Sequence, residues 1–454
     1  MMQKEARQKS DLPKSMEAKP QYQLAPVVER MNVSATLEMG NLVKSLRKQG
    51  RQISNFGLGQ SPFGAPEMVK KALIQNAHRT DYLPAEGIVE LRTAIADFYQ
   101  RYFKFDINAE QVIVGPGSKQ LIYQTMIALN CPWLFITPSW VSYETQAKLA
   151  GIDYWKLAIS ADDEYRITAT ALREKYIEIE EQLQGRSLVI LLNYPNNPTG
   201  LSISKEEIRE IARFARNNEI IILSDEIYGN ITHPSFGQEH YSIAREYPEG
   251  TIVTGGISKD RSMGGYRLGV AIYPKAEKNL INAMRSIGSE TYSAVAAPIQ
   301  YAAITAYEAH PEIDSYIKHT TTIHQLVGSY VYEHLNASGL QLSPPEGGFY
   351  LFPSLNHRRA TLHEQGIDTS KDLVKYLILE YGVASIPGTA FGLNAEDLSF
   401  RLAYIDYDGQ DVLEAYLKDP EGAVNNPHDF ISTHCPRIEF GVKQLSNAIQ
   451  ALLN

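Results

Sequence analysis

The chain has 454 residues, 44% of them hydrophobic and 21% charged, with a formal net charge of −9 and an isoelectric point near 5.7. That balance argues against a nucleic-acid or anionic-membrane surface as its main business, and the length predicts two domains rather than one simple core. Two cysteines, Cys131 and Cys435, offer neither a disulfide framework nor metal-ligand spacing; no metal is expected, and a reducing, cytoplasmic setting fits.

The first residues are polar and charged with no apolar core, so residues 1–30 read as a flexible tail and not as a secretory signal. Ser34 is placed to cap a helix that runs to about Gln49, with Lys44, Arg47 and Lys48 near its end and Gly50 after it. Ile53–Leu58 is a short strand candidate leading into a Gly/Pro loop over 59–66, and Met68–Ala77 reads as a helix. Leu91, Ile95, Phe98 and Tyr102 share one helical face. Short apolar runs then alternate with amphipathic segments: Val112–Val114, Leu134–Ile136, Leu188–Leu192, Ile220–Leu223, Thr251–Val253 and Val270–Ile272. That alternation predicts an α/β fold with a mainly parallel sheet flanked by helices, and ligands at the carboxyl ends of its strands. A long helix near Pro311–Leu335 leads to a second, smaller α+β domain with strand candidates Gly348–Phe352 and Phe400–Tyr404. Residues 406–436 read as a loop-like insertion and 438–453 as a closing helix.

The loop Ser258-Lys259-Asp260-Arg261-Ser262-Met263-Gly264-Gly265-Tyr266-Arg267-Leu268-Gly269 lies between two of these apolar runs. Lysine there can act as a nucleophile if its pKa is depressed, and arginine can fork onto a phosphate. Ser-Lys, five residues, then Gly-x-Arg-x-Gly resembles the lysine signature of the class I/II pyridoxal-phosphate-dependent aminotransferases, which are of fold type I and aspartate aminotransferase-like. Further motifs recur in family order from about residue 35 to 405. The resemblance implies a small domain of 31–66 plus 325–454, and a large cofactor domain of 67–324.

The resemblance also implies a set of roles. Lys259 holds pyridoxal 5'-phosphate as an internal aldimine and then shuttles the proton at the substrate carbon. Asp225, just past an apolar strand, keeps the ring nitrogen protonated; Tyr228 and Asn197, the latter in Asn-Pro-Thr-Gly, bond the ring oxygen. Trp140 stacks on the ring, and Trp140-Val141-Ser142-Tyr143 is similar to the bacterial and archaeal aspartate aminotransferase branch. Ser118, Lys119, Ser258 and Arg267 hold the phosphate. Tyr82 reaches it from the other subunit of a homodimer. Arg401 clamps the substrate carboxylate, aided by Asn197 and by the backbone of Gly59. One departure stands out: the family often has a serine where this chain has Gly256.

The expected activity is transfer of an amino group from an L-amino acid to a 2-oxo acid by a ping-pong scheme through a lysine aldimine. A C–S lyase, a decarboxylase or an aminocyclopropane-carboxylate-synthase-like lyase shares the same cofactor residues. A cofactor-binding regulator is the reading from another class, but residues 1–35 are too short for a DNA-binding domain. The side-chain pocket stays open: no arginine lies in 289–293, Arg285 is nearby, and Tyr292, Tyr143 and Phe63 could equally line it.

Overall fold

The computed structural model describes residues 22–31 and 34–453. Contacts divide the chain into residues 1–32 and 33–454. In the first unit the described residues hold one short helix, Pro26–Glu29, with no buried residue; most of the expected tail lies outside the described residues.

The second unit is built on twelve strands among the described residues: β1 (Ser54–Asn55), β2 (Val112–Gly115), β3 (Trp133–Thr137), β4 (Tyr154–Ala158), β5 (Val189–Asn193), β6 (Ile221–Asp225), β7 (Thr251–Gly256), β8 (Gly269–Ile272), β9 (Tyr350–Leu351), β10 (Val383–Ala384), β11 (Ile386–Pro387) and β12 (Phe400–Ala403). Seven of them form one sheet in the order β2-β8-β7-β6-β5-β3-β4. Every pairing in it is parallel except the two that β8 makes, with β2 and with β7. β2, β3, β5 and β8 are buried throughout, as continuous apolar runs covered by helices on both faces should be. The expected mainly parallel α/β sheet is therefore present.

A separate core gathers around the helix Pro311–Ala337, the helix Pro436–Leu453 and the small sheet β11-β12-β9, with Ile323, Val327, Phe349, Leu402 and Ile449 fully buried. The helix Glu67–Asn76 lies within a residue of its expected bounds, and in the helix Val89–Phe103 the expected face residues Leu91, Ile95 and Phe98 are buried.

Four expectations are corrected. Ser34 occupies the position before the helix Ala35–Lys48, but its side chain makes no capping bond. The 53–58 strand shrinks to β1, paired only with β10, and the 348–352 strand to β9. Residues 406–436 are not loop: they form helices Gly409–Lys418, Pro420–Asn425 and Pro427–His434. The Asp and Pro residues that read as breakers are helix starters. Asp408 accepts from the Gln410 and Asp411 amides, Asp419 from the Gly422 amide, and Pro420 and Pro427 open their helices, where a missing N–H is no loss. Ala423, Phe430 and Ile431 join the second core.

Candidate active site

The site forms beyond the carboxyl end of β6. Asp225 ends that strand, 2% exposed. Its neighbours in the register are Asn193 of β5 and Thr254 of β7. The Tyr143 hydroxyl donates to Asp225 Oδ2 at 2.6 Å and the Thr254 hydroxyl to Oδ1 at 3.2 Å. The Asn193 amide donates to the Asp225 carbonyl at 2.8 Å. Burial pushes the Asp225 carboxyl up to about 6, against the pull of the Tyr143 and Thr254 bonds.

Lys259 follows β7 and is half-buried. Its Nζ donates to the Gly59 carbonyl at 2.6 Å and lies 5.5 Å from the ring centroids of both Tyr228 and Phe349. Burial, then the nearby Arg401, lower it to about 8, while Asp225 opposes the shift. A buried amine beside a fixed cation is more easily neutral, as nucleophilic and base chemistry require. The Tyr228 hydroxyl shares a 2.8 Å hydrogen bond with that of Tyr350.

Arg401 comes from β12 and is 3% exposed. Nη1 donates to Asn197 Oδ1 at 3.0 Å and Nη2 to the Gly57 carbonyl at 2.7 Å. Its guanidinium lies 4.8 Å from the Tyr350 ring centroid and 5.1 Å from that of Phe391, and Nε is buried without a partner among the described residues. Its hydrogen bonds among the described residues go to an amide and a backbone carbonyl and to no carboxylate, so a carboxylate ligand is the partner its chemistry suits.

At the other end, Gly117 (φ +93°) precedes the helix Ser118–Ala128, whose first N–H groups lack intrahelical acceptors. A side chain on Gly117 would run into the Arg267 guanidinium, and one on Gly269 into the Ser118 amide. Arg267 itself donates to the Pro116 carbonyl at 3.1 Å and the Gly264 carbonyl at 2.7 Å. Burial and then Arg267 lower the pKa of Lys119. Lys119 Nζ lies 4.8 Å from the Trp140 ring centroid, and Trp140 meets Tyr143 edge to face at 5.3 Å. Backbone amides, two cations and glycine-limited approach are the donor set a phosphate needs. The residues present therefore fit a phosphorylated pyridine aldehyde: cradle, carboxylate, aromatic surface and amine are all here.

Not every expected residue joins. Tyr82 stands apart, 94% exposed. Ser258 makes no side-chain hydrogen bond among the described residues. Gly59 meets Lys259 through its carbonyl, and a side chain there would strike the Tyr350 hydroxyl. At Gly256 a Cβ would lie 2.8 Å from the Leu268 carbonyl of the neighbouring chain segment, so a serine would require that segment to shift. Phe63 is core, edge to face with His324 at 5.2 Å, and Arg285 pairs with Glu86 at 3.5 Å. Sequence reasoning missed the Tyr143–Asp225 bond, Thr254, Tyr350 and Gly57. Only Tyr143 carried a signal, in its Trp-Val-Ser-Tyr run.

Comparison with known proteins agrees with this chemistry. The family model for aminotransferase class I and II matches residues 51–415. An aspartate aminotransferase of Bacillus sp. (strain YM-2) is 32% identical over 84% of this chain and 94% of the relative. An asparagine–oxo-acid transaminase of Streptococcus mutans is 30% identical over 80% of this chain and 91% of its own. The structure of aspartate aminotransferase from Thermus thermophilus with maleate superposes with a TM-score of 0.78 at 25% identity, covering 94% of this chain and all of that one.

Proposed function

Because the chain belongs to the class I and II aminotransferases and is a pyridoxal-phosphate-dependent aminotransferase, we propose that it moves an amino group from an L-amino acid to a 2-oxo acid in two ping-pong half-reactions. The observation that carries the reading is the placement of Lys259 Nζ, 5.5 Å from the Tyr228 and Phe349 ring centroids and tied to the Gly59 carbonyl, where Arg401 and Asp225 both act on its charge. When bound, pyridoxal phosphate supplies an aldehyde and an electron-accepting ring.

Lys259 Nζ is the amine that would hold that aldehyde. As a free amine, Lys259 Nζ would be the base that takes the proton from the substrate α-carbon and holds it as an ammonium. Asp225 holds a proton at the ring nitrogen, and burial makes its charge effective there. Tyr228 and Asn197 would bond the ring oxygen, and Trp140 would supply the aromatic surface. Ser118, Lys119, Ser258 and Arg267 take the phosphate, and the exposure of Tyr82 supports its service to the neighbouring site of a homodimer. Arg401 receives the α-carboxylate, with Asn197 and Gly59 beside it. The unpaired Cys131 and Cys435 support a cytoplasmic setting. Aspartate, named in the relatives, is the first donor to try.

The test is an absorption spectrum of the holoenzyme as single L-amino acids are added without oxo acid. Conversion of the visible cofactor band to the amino form, with release of the matching 2-oxo acid, is expected. Ammonia or a cleaved side chain instead would make the protein a lyase, and no cofactor band would overturn the reading.

A further inference from the structure

Away from the residues above, a cleft of about 460 Å³ opens between the end of the helix Ala35–Lys48, the segment leading into β1 and the start of the helix Pro436–Leu453. Its lining includes Arg47, Arg51 and Arg437, and only one carboxylate, Asp406. Three guanidiniums against one carboxylate leave two formal positive charges, a local reversal on a chain of net charge −9.

That carboxylate is already saturated. Asp406 accepts from the Asn55 amide at 2.7 Å and from Arg437 Nε at 3.1 Å, and Arg47 Nη2 lies 3.5 Å away. The arginines are not used up in return. Among the described residues each anchors itself by one nitrogen only: Arg47 by Nη2, also to the Ile53 carbonyl; Arg51 by Nη2, to the Leu379 carbonyl; Arg437 by Nε. The other nitrogens remain for a ligand. The volume is within the range of small-molecule sites.

We propose that this cleft binds a small polyanion with at least two negative charges, of the polycarboxylate or polyphosphate class, held by the free faces of Arg47, Arg51 and Arg437. None of the residues that line the cleft is among those placed at the cofactor, so it is tested on holoenzyme by titration calorimetry with citrate and, separately, with inorganic pyrophosphate. One ion bound per chain is expected, with no change in the visible cofactor spectrum; the tighter probe names the class. Arg47→Gln with Arg437→Gln should weaken binding at least tenfold. Asp406→Asn, which keeps an acceptor for the Asn55 amide but removes the competing charge, should tighten it. Arg213→Gln, which removes a distant exposed arginine paired with Glu210, should leave it unchanged. Absence of binding by both probes, equal loss in Arg213→Gln, or binding that perturbs the cofactor band would overturn the proposal.

Discussion

Replacing Tyr143 by phenylalanine tests the charge on Asp225 with little change in shape. The ring keeps its edge contact with Trp140, and Thr254 still donates to Oδ1 at 3.2 Å. What goes is a 2.6 Å hydroxyl bond to Oδ2. A hydrogen bond to a charged group contributes about 1.5–3 kcal/mol, and a pKa unit corresponds to about 1.4 kcal/mol. The bond favours the ionised form, so its loss should raise Asp225 by about one to two units from its present value of about 6. Near neutral pH the ionised fraction then falls roughly two- to tenfold. The assay is binding of pyridoxamine phosphate to apoenzyme across pH, followed by quenching of tryptophan fluorescence. This ligand needs no covalent bond to Lys259, so the acid limb of its affinity reports the partner of the ring nitrogen. Affinity should fall as pH drops through the Asp225 pKa, with a higher midpoint in the variant. Identical midpoints in Tyr143→Phe and wild type would refute the reasoning, and with it the placement of Asp225 against the ring.

Three further outcomes are expected. Lys259→Ala should lose the visible band of the covalently held cofactor and at least about a hundredfold in turnover; retention of both would remove Lys259 from its role. Arg401→Ala leaves Asn197 Oδ1 and the Gly57 carbonyl without their donor, and should lower kcat/KM about a hundredfold or more for every amino acid. Loss for one donor alone would point to side-chain recognition instead. Gly117→Ala forces a non-glycine residue to φ +93° and a methyl into Arg267, with a strain of about 1–3 kcal/mol. Dialysis of the holoenzyme should show faster cofactor loss than in wild type.

The sheet was legible where strands are continuous apolar runs buried on both faces, as at Leu188–Leu192. β4 was missed because it lies at the edge of the sheet, paired only with β3, and alternates partly buried residues with exposed Lys156 and Ala158. The segment after residue 406 misled because Asp and Pro look the same whether they break a helix or begin one; the deciding term is burial of Phe430 and Ile431 against distant chain. Within the site, signals carried by neighbours along the chain were readable, as in Ser258-Lys259. Pairings such as Tyr143 with Asp225, 82 residues apart, or Arg401 with Asn197, 204 apart, exist only once the sheet sets its register.

The carbonyls of Gly57 and Gly59 sit two residues apart on one segment, and they hold Arg401 and Lys259 respectively. One short stretch of main chain therefore ties down both the guanidinium and the amine of the site. The spacing of the two cations is thus set by backbone geometry, and a side chain at Gly59, which would strike the Tyr350 hydroxyl, would disturb both at once.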